Sequence, residues 1–405
     1  MAGGQMTHSE GRAGLLRGQG ERGHRVTTVE LFFDLVYVFA VTQLSHLLLE
    51  HLTLHGAVQT LMVLLAVWWA WVYTAWFTNW FDPDQPAVRL MLVGVMLVSL
   101  IMSAALPEAF GERGLVFAGA YATIQIGRTA FVLAALRRGD PLRPTFQRIL
   151  AWFVMAGALW VAGGLAEGSA REVLWLAALV VDFAAPVAGF ATPGLGRSRT
   201  GEWTIAGEHL AERCQLLIII AFGESILVTG ATFSDLPFDW ATLAAVVVAF
   251  IGSVALWWVY FDRGAAWANE VIASSSDPGR LGRSAYTYFH LPMVAGIIVA
   301  AVADELTIAH PDAAGTVSTT AVILGGPALY LAGHALFKRA LSGRLSRSHV
   351  VAVAALAALI PVGLLAPLLA TGIAATAVVV AVAAWDTRAV RSLGHVPSVQ
   401  TAGSA

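Results

Sequence analysis

The chain is poor in charge and nearly without cysteine. Only 12% of its 405 residues are Asp, Glu, Lys or Arg, against roughly 25% in an average soluble protein. A soluble chain of this length would need far more charge to wet the surfaces of two or three domains. The scarcity excludes an ordinary cytosolic enzyme, a disordered protein and a nucleic-acid binder. The single cysteine, Cys214, excludes a disulfide within the chain, and its apolar neighbours point to a small buried side chain. No phosphate-cradling glycine loop, nucleophile elbow or zincin motif occurs, so neither a cofactor nor a catalytic set is implied. What is abundant is apolar: 58% of the residues are hydrophobic.

A bilayer core needs about 20 consecutive apolar residues per helix. Twelve such runs lie near 31–50, 57–81, 88–107, 114–136, 147–166, 172–191, 209–230, 240–261, 285–306, 317–337, 349–368 and 370–386. The last two are parted only by an Ala/Thr/Gly turn, which leaves eleven spans as the alternative. The implied fold class is all-α, a polytopic membrane protein of about twelve spans, with the lipid bilayer as its first partner. Residues 1–28 and 388–405, rich in Arg, Gly and Ser, read as disordered cytoplasmic ends.

Basic residues test the count, because cytoplasmic loops carry the excess of Lys and Arg. With the N-terminus inside, twenty of the 24 basic residues fall in cytoplasmic segments. Arg113 and Arg171 fall outside, and Arg128 and Arg213 fall within spans. Both termini are therefore expected in the cytoplasm. The outer loops read as acidic or His-bearing, as in Glu108-Ala-Phe-Gly-Glu112 and Asp304-Glu305 with His310 and Asp312.

The two halves resemble each other in order. Glu30 opens the first span and Glu212 the seventh. Trp80-Phe81-Asp82 and Tyr260-Phe261-Asp262 close the second and eighth. Tyr121, Arg128 and Phe131 of the fourth match Tyr330, His334 and Phe337 of the tenth, and Asp182 of the sixth matches Asp386 of the twelfth. This order predicts two parallel six-span repeats, 29–191 and 208–387, joined by a linker at 192–207. In transporters so built, the site lies between the halves.

Charge in hydrocarbon costs about 2.5–3.5 kcal/mol on insertion scales, so each buried ionisable group is a candidate. Glu30 and Asp34, four residues apart, share one helix face; they read as a cation or proton site, or as caps on the helix N-terminus. His209, Glu212 and Arg213 open the seventh span, and Arg213 is expected to pair with Asp34 if the repeats face each other. A metal reading of His209 and Glu212 needs further ligands that the local segment lacks. Glu224, far from any helix end, is the foremost proton or cation candidate. Arg128 is expected to have an acid partner, Asp182 or Glu224. His290 and His334 complete the set. The tryptophans Trp68, Trp69, Trp71, Trp76 and Trp80 run the length of the second span, which implies a packed interface or a lipid-facing ridge, since a belt would sit only at its ends.

Several segments together resemble the bacterial low temperature requirement A family. They are Val29-Glu30-Leu31-Phe32-Phe33-Asp34 with Thr42-Gln43-Leu44-Ser45, Trp76-Phe77 with Asn79, His209-Leu210-Ala211-Glu212-Arg213, and Gly223-Glu224-Ser225-Ile226. His290-Leu291-Pro292-Met293 and Gly326-Pro327 through Phe337 continue the likeness to about residue 390. The resemblance implies a role in growth in the cold and carries no catalytic residues. Three functional readings stand together. The first is a transporter or channel for an ion or small solute, with proton coupling. The second is a membrane-embedded enzyme for a lipid-like substrate. The third is a non-catalytic factor for growth in the cold.

Overall fold

The computed structural model describes residues 15–17, 25–203, 205–262 and 264–393. The chain is a bundle of helices, and no strand occurs among the described residues beyond isolated bridges. We label the long helices α1 (Thr28–Glu50), α2 (Leu54–Trp80), α3 (Pro86–Ala104), α4 (Gly114–Ala135), α5 (Arg143–Leu165) and α6 (Gly168–Val187). They continue as α7 (Gly207–Ser234), α8 (Trp240–Phe261), α9 (His290–Ala309), α10 (Val317–Ser342), α11 (Arg347–Leu365) and α12 (Leu368–Leu393). Eleven of these are long and apolar enough to cross a membrane. The twelfth, α6, has 20 residues and carries Arg171, Glu172 and Asp182. The turn between α11 and α12 is Ala366-Pro367, a few residues before the expected Ala/Thr/Gly turn. Within α11 the helix breaks at Leu359, where Pro361 removes one backbone donor and crowds the preceding turn.

The helix ends follow from local chemistry. Thr27 and Glu30 form a reciprocal capping box at α1, satisfying two otherwise orphan N–H groups. Thr53 caps α2 through the Gly56 N–H. Asp239 caps α8, and the Thr242 hydroxyl and N–H, with the Ala241 N–H, hold its carboxyl below the usual range.

Solvent-facing logic is inverted. Leu90, Leu97, Val180, Leu227 and other large apolar side chains lie exposed on the outside, as a lipid-facing surface requires. Charged side chains including Glu30, Asp34, Arg128, Asp182, Arg213 and Glu224 are buried inside. Helix α2 is the most enclosed span. Trp68, Trp69, Trp71 and Trp76 are all buried, so the tryptophan run is a packed interface and not a lipid ridge.

Among pairs in substantial contact, α1 touches α2 and α3, α2 touches α4 and α6, and α3, α4, α5 and α6 pack in succession. Helices α7–α12 make these seven pairings with each number raised by six, and add α8–α9, α9–α12 and α10–α12, which lack a counterpart in substantial contact among α1–α6. Contacts between these groups run from α1 and α2 to α7 and α9. Between α8 and α9 the chain forms two short helices and a π-helical turn, Gly282–Tyr288. That turn offers the Thr287 carbonyl to Trp68 Nε1 at 2.8 Å and its hydroxyl to Trp76 Nε1 at 3.0 Å.

Two expectations need correction. Asp304 and Glu305 are not in an outer loop: both lie inside α9. Residues 15–17 are not a free tail either. Arg17 N–H donates to the Trp80 carbonyl at 2.9 Å, and Asp82 N–H donates to Leu15 at 2.9 Å. The rest of the expected disordered ends, 1–14, 18–24 and 394–405, lies outside the described residues, and 388–393 continue α12.

Helices α9 and α10 approach so closely that only glycine fits. A Cβ on Gly296 would stand 2.5 Å from the Tyr330 backbone nitrogen, and one on Gly326 would stand 2.7 Å from that of Ala300. Small residues at such crossings let dispersion contacts form between backbones. Gly296→Val is expected to push the pair apart and destabilise the protein by about 1–3 kcal/mol, read as a lower thermal unfolding midpoint in detergent; Gly223→Val, where a Cβ meets open space, is expected to have little effect.

Candidate functional site

The densest polar group lies where α1, α2 and α7 meet. Glu30 and Asp34 are one turn apart on α1, and His209 and Arg213 are one turn apart on α7. All four are fully buried. Arg213 Nη2 donates to Asp34 Oδ1 at 2.6 Å, and Nη1 donates to Glu30 Oε1 at 3.1 Å. The expected Asp34–Arg213 pair is therefore present. The guanidinium also sits 5.6 Å from the Phe33 ring centre and 5.8 Å from that of Trp71, a cation–π arrangement. Trp71 Nε1 donates to Asp34 at 2.8 Å. Glu30 joins this pair while still capping α1 through the Thr27 N–H at 2.8 Å.

Sequence reading missed two members. Arg17 Nη2 reaches Glu30 Oε2 at 3.1 Å, so the N-terminal segment is pinned by charge. Asn79 fixes the histidine. Its Oδ1 accepts the Ala206 N–H, and its Nδ2 donates both to the Ala206 carbonyl and to His209 Nδ1 at 3.2 Å. His209 Nδ1 is thus an acceptor, and Nε2 carries the proton donated to Glu30 at 2.8 Å. The neutral ring leaves two carboxylates against two guanidinium groups, a closed charge balance. Asn79 stood in the sequence only as part of the Trp76-Phe77 segment that carries the family resemblance, with no role attached to it. Glu212 stands at the edge, accepting the Val26 N–H at 3.3 Å.

The other candidates do not join this cluster. Arg128 is 3% exposed and has no acid partner among the described residues, contrary to expectation. It donates to the Ala70 carbonyl at 3.3 Å, to Thr74 Oγ1 at 2.7 Å and to Gln125 Oε1. A relay explains the missed pairing: Gln125 Nε2 donates to the Tyr121 hydroxyl at 3.1 Å, and that hydroxyl donates to Asp182 at 2.8 Å. Asp182 also accepts from Trp160 Nε1 at 3.0 Å. Two side chains thus stand between the charges. His290 donates from Nδ1 to the Ala285 carbonyl at 3.0 Å and accepts the Tyr260 hydroxyl at Nε2, 2.7 Å away. His334 meets His349 at 2.8 Å. Glu224 is 2% exposed and makes no hydrogen bond among the described residues.

Arg128 instead faces a cavity of about 50 Å³ among α2, α4, α5 and the 186–203 segment. Its walls are aromatic, with Tyr73, Trp76, Phe77, Phe146 and Trp203 among them, and Arg283 is its second cation. Arg283 is held there by a 3.0 Å bond to the Pro186 carbonyl.

With this geometry in hand, the comparisons with known proteins are decisive for kinship. The bacterial low temperature requirement A protein (LtrA) family matches residues 25–384. The chain belongs to the LtrA family. An uncharacterized protein of Rhizobium meliloti (strain 1021) is 39% identical over 366 residues, covering 90% of this chain and 89% of that protein. No solved structure matches. The LtrA match spans the α1–α7 cluster apart from Arg17, and the Arg128 cavity, and it assigns chemistry to neither.

Glu30→Gln strips a carboxylate from two guanidinium groups and is expected to destabilise the chain by about 3–5 kcal/mol, the usual result of breaking a buried pair. Adding Arg17→Gln restores the charge balance and is expected to recover part of that loss. Unfolding midpoints of both variants in detergent check the pair.

Proposed function

We propose that this LtrA-family protein carries a small anion across the membrane, bound at Arg128. The observation that carries the reading is a buried guanidinium, with no carboxylate neighbour, on the wall of an internal cavity. Uncompensated charge within a span is expensive, and a bound anion supplies the compensation. Arg283 adds a second positive charge, and the aromatic walls suit an apolar substituent. The Tyr121–Gln125 relay from Asp182 holds the Arg128 head in place.

The equivalent pairings of α1–α6 and α7–α12 support a reading as two parallel repeats with boundaries near 29–191 and 208–387. The distribution of Lys and Arg supports a cytoplasmic location for both termini. On that orientation the Arg128 cavity lies toward the cytoplasmic side, capped by the linker residue Trp203. None of Glu30, Asp34 and Arg213 lines this cavity. Their cluster acts as a bolt between the halves.

Proteoliposomes holding the wild-type chain are expected to take up at least one of chloride, nitrate, acetate or benzenesulfonate faster than empty vesicles. Arg128→Gln is expected to abolish that uptake and Arg128→Lys to retain part of it. Absence of uptake across this panel, or full uptake by Arg128→Gln, overturns the assignment and favours the non-catalytic reading.

A further inference from the structure

A second cavity, of about 40 Å³, lies in the other half among α8, α9, α10 and α12. Its lining contains one charged side chain, Asp304, and no Lys, Arg or His. Asp304 stands five residues before the end of α9, about 7–8 Å into the helix. No ion pair engages it among the described residues, and its one hydrogen bond is a long contact from Ser225 Oγ at 3.4 Å.

The rest of the lining offers hard oxygens. Ser253 Oγ is 3.2 Å from Ser225 Oγ, which ties it to the same carboxylate. Thr307 spends its proton on the Ala303 carbonyl at 2.7 Å, so its oxygen lone pairs stay open. Thr376 Oγ1 lies beside Gly252, where a Cβ would come within 3.2 Å; that glycine lets α12 approach α8. Pro327 has no N–H to give the Ile323 carbonyl, and both residues line the cavity. Carbonyls released from helical bonding coordinate sodium in transporters whose helices are interrupted; α10 keeps its helical path past Pro327, so it adds one freed acceptor.

We propose that Asp304 and these oxygens bind a small monovalent cation, of sodium size. One carboxylate with one monovalent cation gives a neutral complex, which the apolar surroundings favour. A divalent ion would leave a net charge, and its sites recruit several carboxylates. An anion finds no cationic group here. The cavity has room for about three waters by volume, enough for an ion and part of its shell. The neighbouring Glu305 is not among the lining residues. This assignment stands apart from the anion reading at Arg128, and its test reads binding without flux.

The intact protein in detergent is heated in sodium, lithium, potassium or N-methylglucamine chloride at equal ionic strength. Sodium is expected to raise the unfolding midpoint by several degrees over N-methylglucamine, and Asp304→Asn to remove that rise. Ser253→Ala, a gentler change, is expected to raise the half-effective sodium concentration at least three-fold, which keeps the test decisive if Asp304→Asn does not fold. No cation-specific rise in the wild type overturns the assignment. So does a rise that survives Asp304→Asn, one produced by potassium and not by sodium, or a half-effective sodium concentration unmoved in Ser253→Ala.

Discussion

One guanidinium, that of Arg213, governs how the two groups of helices meet. A charge inside an apolar bundle survives only with opposite charge and hydrogen bonds close by. Arg213 finds both carboxylates on the facing helix, at 2.6 and 3.1 Å. That requirement sets the rotation of α1 and α7 together, since Glu30 and Asp34 must turn toward the partner helix. It also sets the place of α2, whose Trp71, Thr78 and Asn79 supply the remaining bonds. The linker follows, because Asn79 holds the Ala206 backbone by two bonds. Even here the satisfaction is incomplete: Asp34 Oδ2 and Arg213 Nε find no partner among the described residues.

Polar groups elsewhere form islands. The Tyr121–Asp182–Trp160 group ties α4, α5 and α6, and the Lys338–Asp386–Ser348 group ties α10, α11 and α12. Such interhelical bonds average well under 2 kcal/mol each in membranes, so they specify pairing more than they supply stability. The two cavities differ from these islands. In each, a charged side chain meets open volume in place of a countercharge, which is why Arg128 and Asp304 carry the functional assignments while the more densely paired residues do not.

Much of the fold was legible because hydrocarbon imposes length and apolarity on every span. Most of the twelve helices begin and end within about five residues of the apolar runs, and the Asp34–Arg213 pair was expected from an acid one turn into the first span and a base at the start of the seventh. Contacts set by rotation were not legible. Spacing places Tyr121, Gln125 and Arg128 on one face of α4, but nothing in it showed that the first two would stand between Arg128 and Asp182. Asp304 read as a loop residue because an acid pair near the end of a run resembles a boundary; only the helix continuing to Ala309 turns it inward. Arg17 sat in a stretch whose composition resembles a tail, and nothing local reports a carboxylate thirteen positions away in a helix cap.

The claim that opposite charges on α1 and α7 unite the bundle is tested most directly by a double-mutant cycle. Unfolding free energies are measured for the wild type, Asp34→Asn, Arg213→Gln and the double variant. A coupling energy above about 2 kcal/mol is expected, within the range seen for residues sharing one ion-pair network. Additivity within about 0.5 kcal/mol would contradict the account, because the two side chains would then act independently.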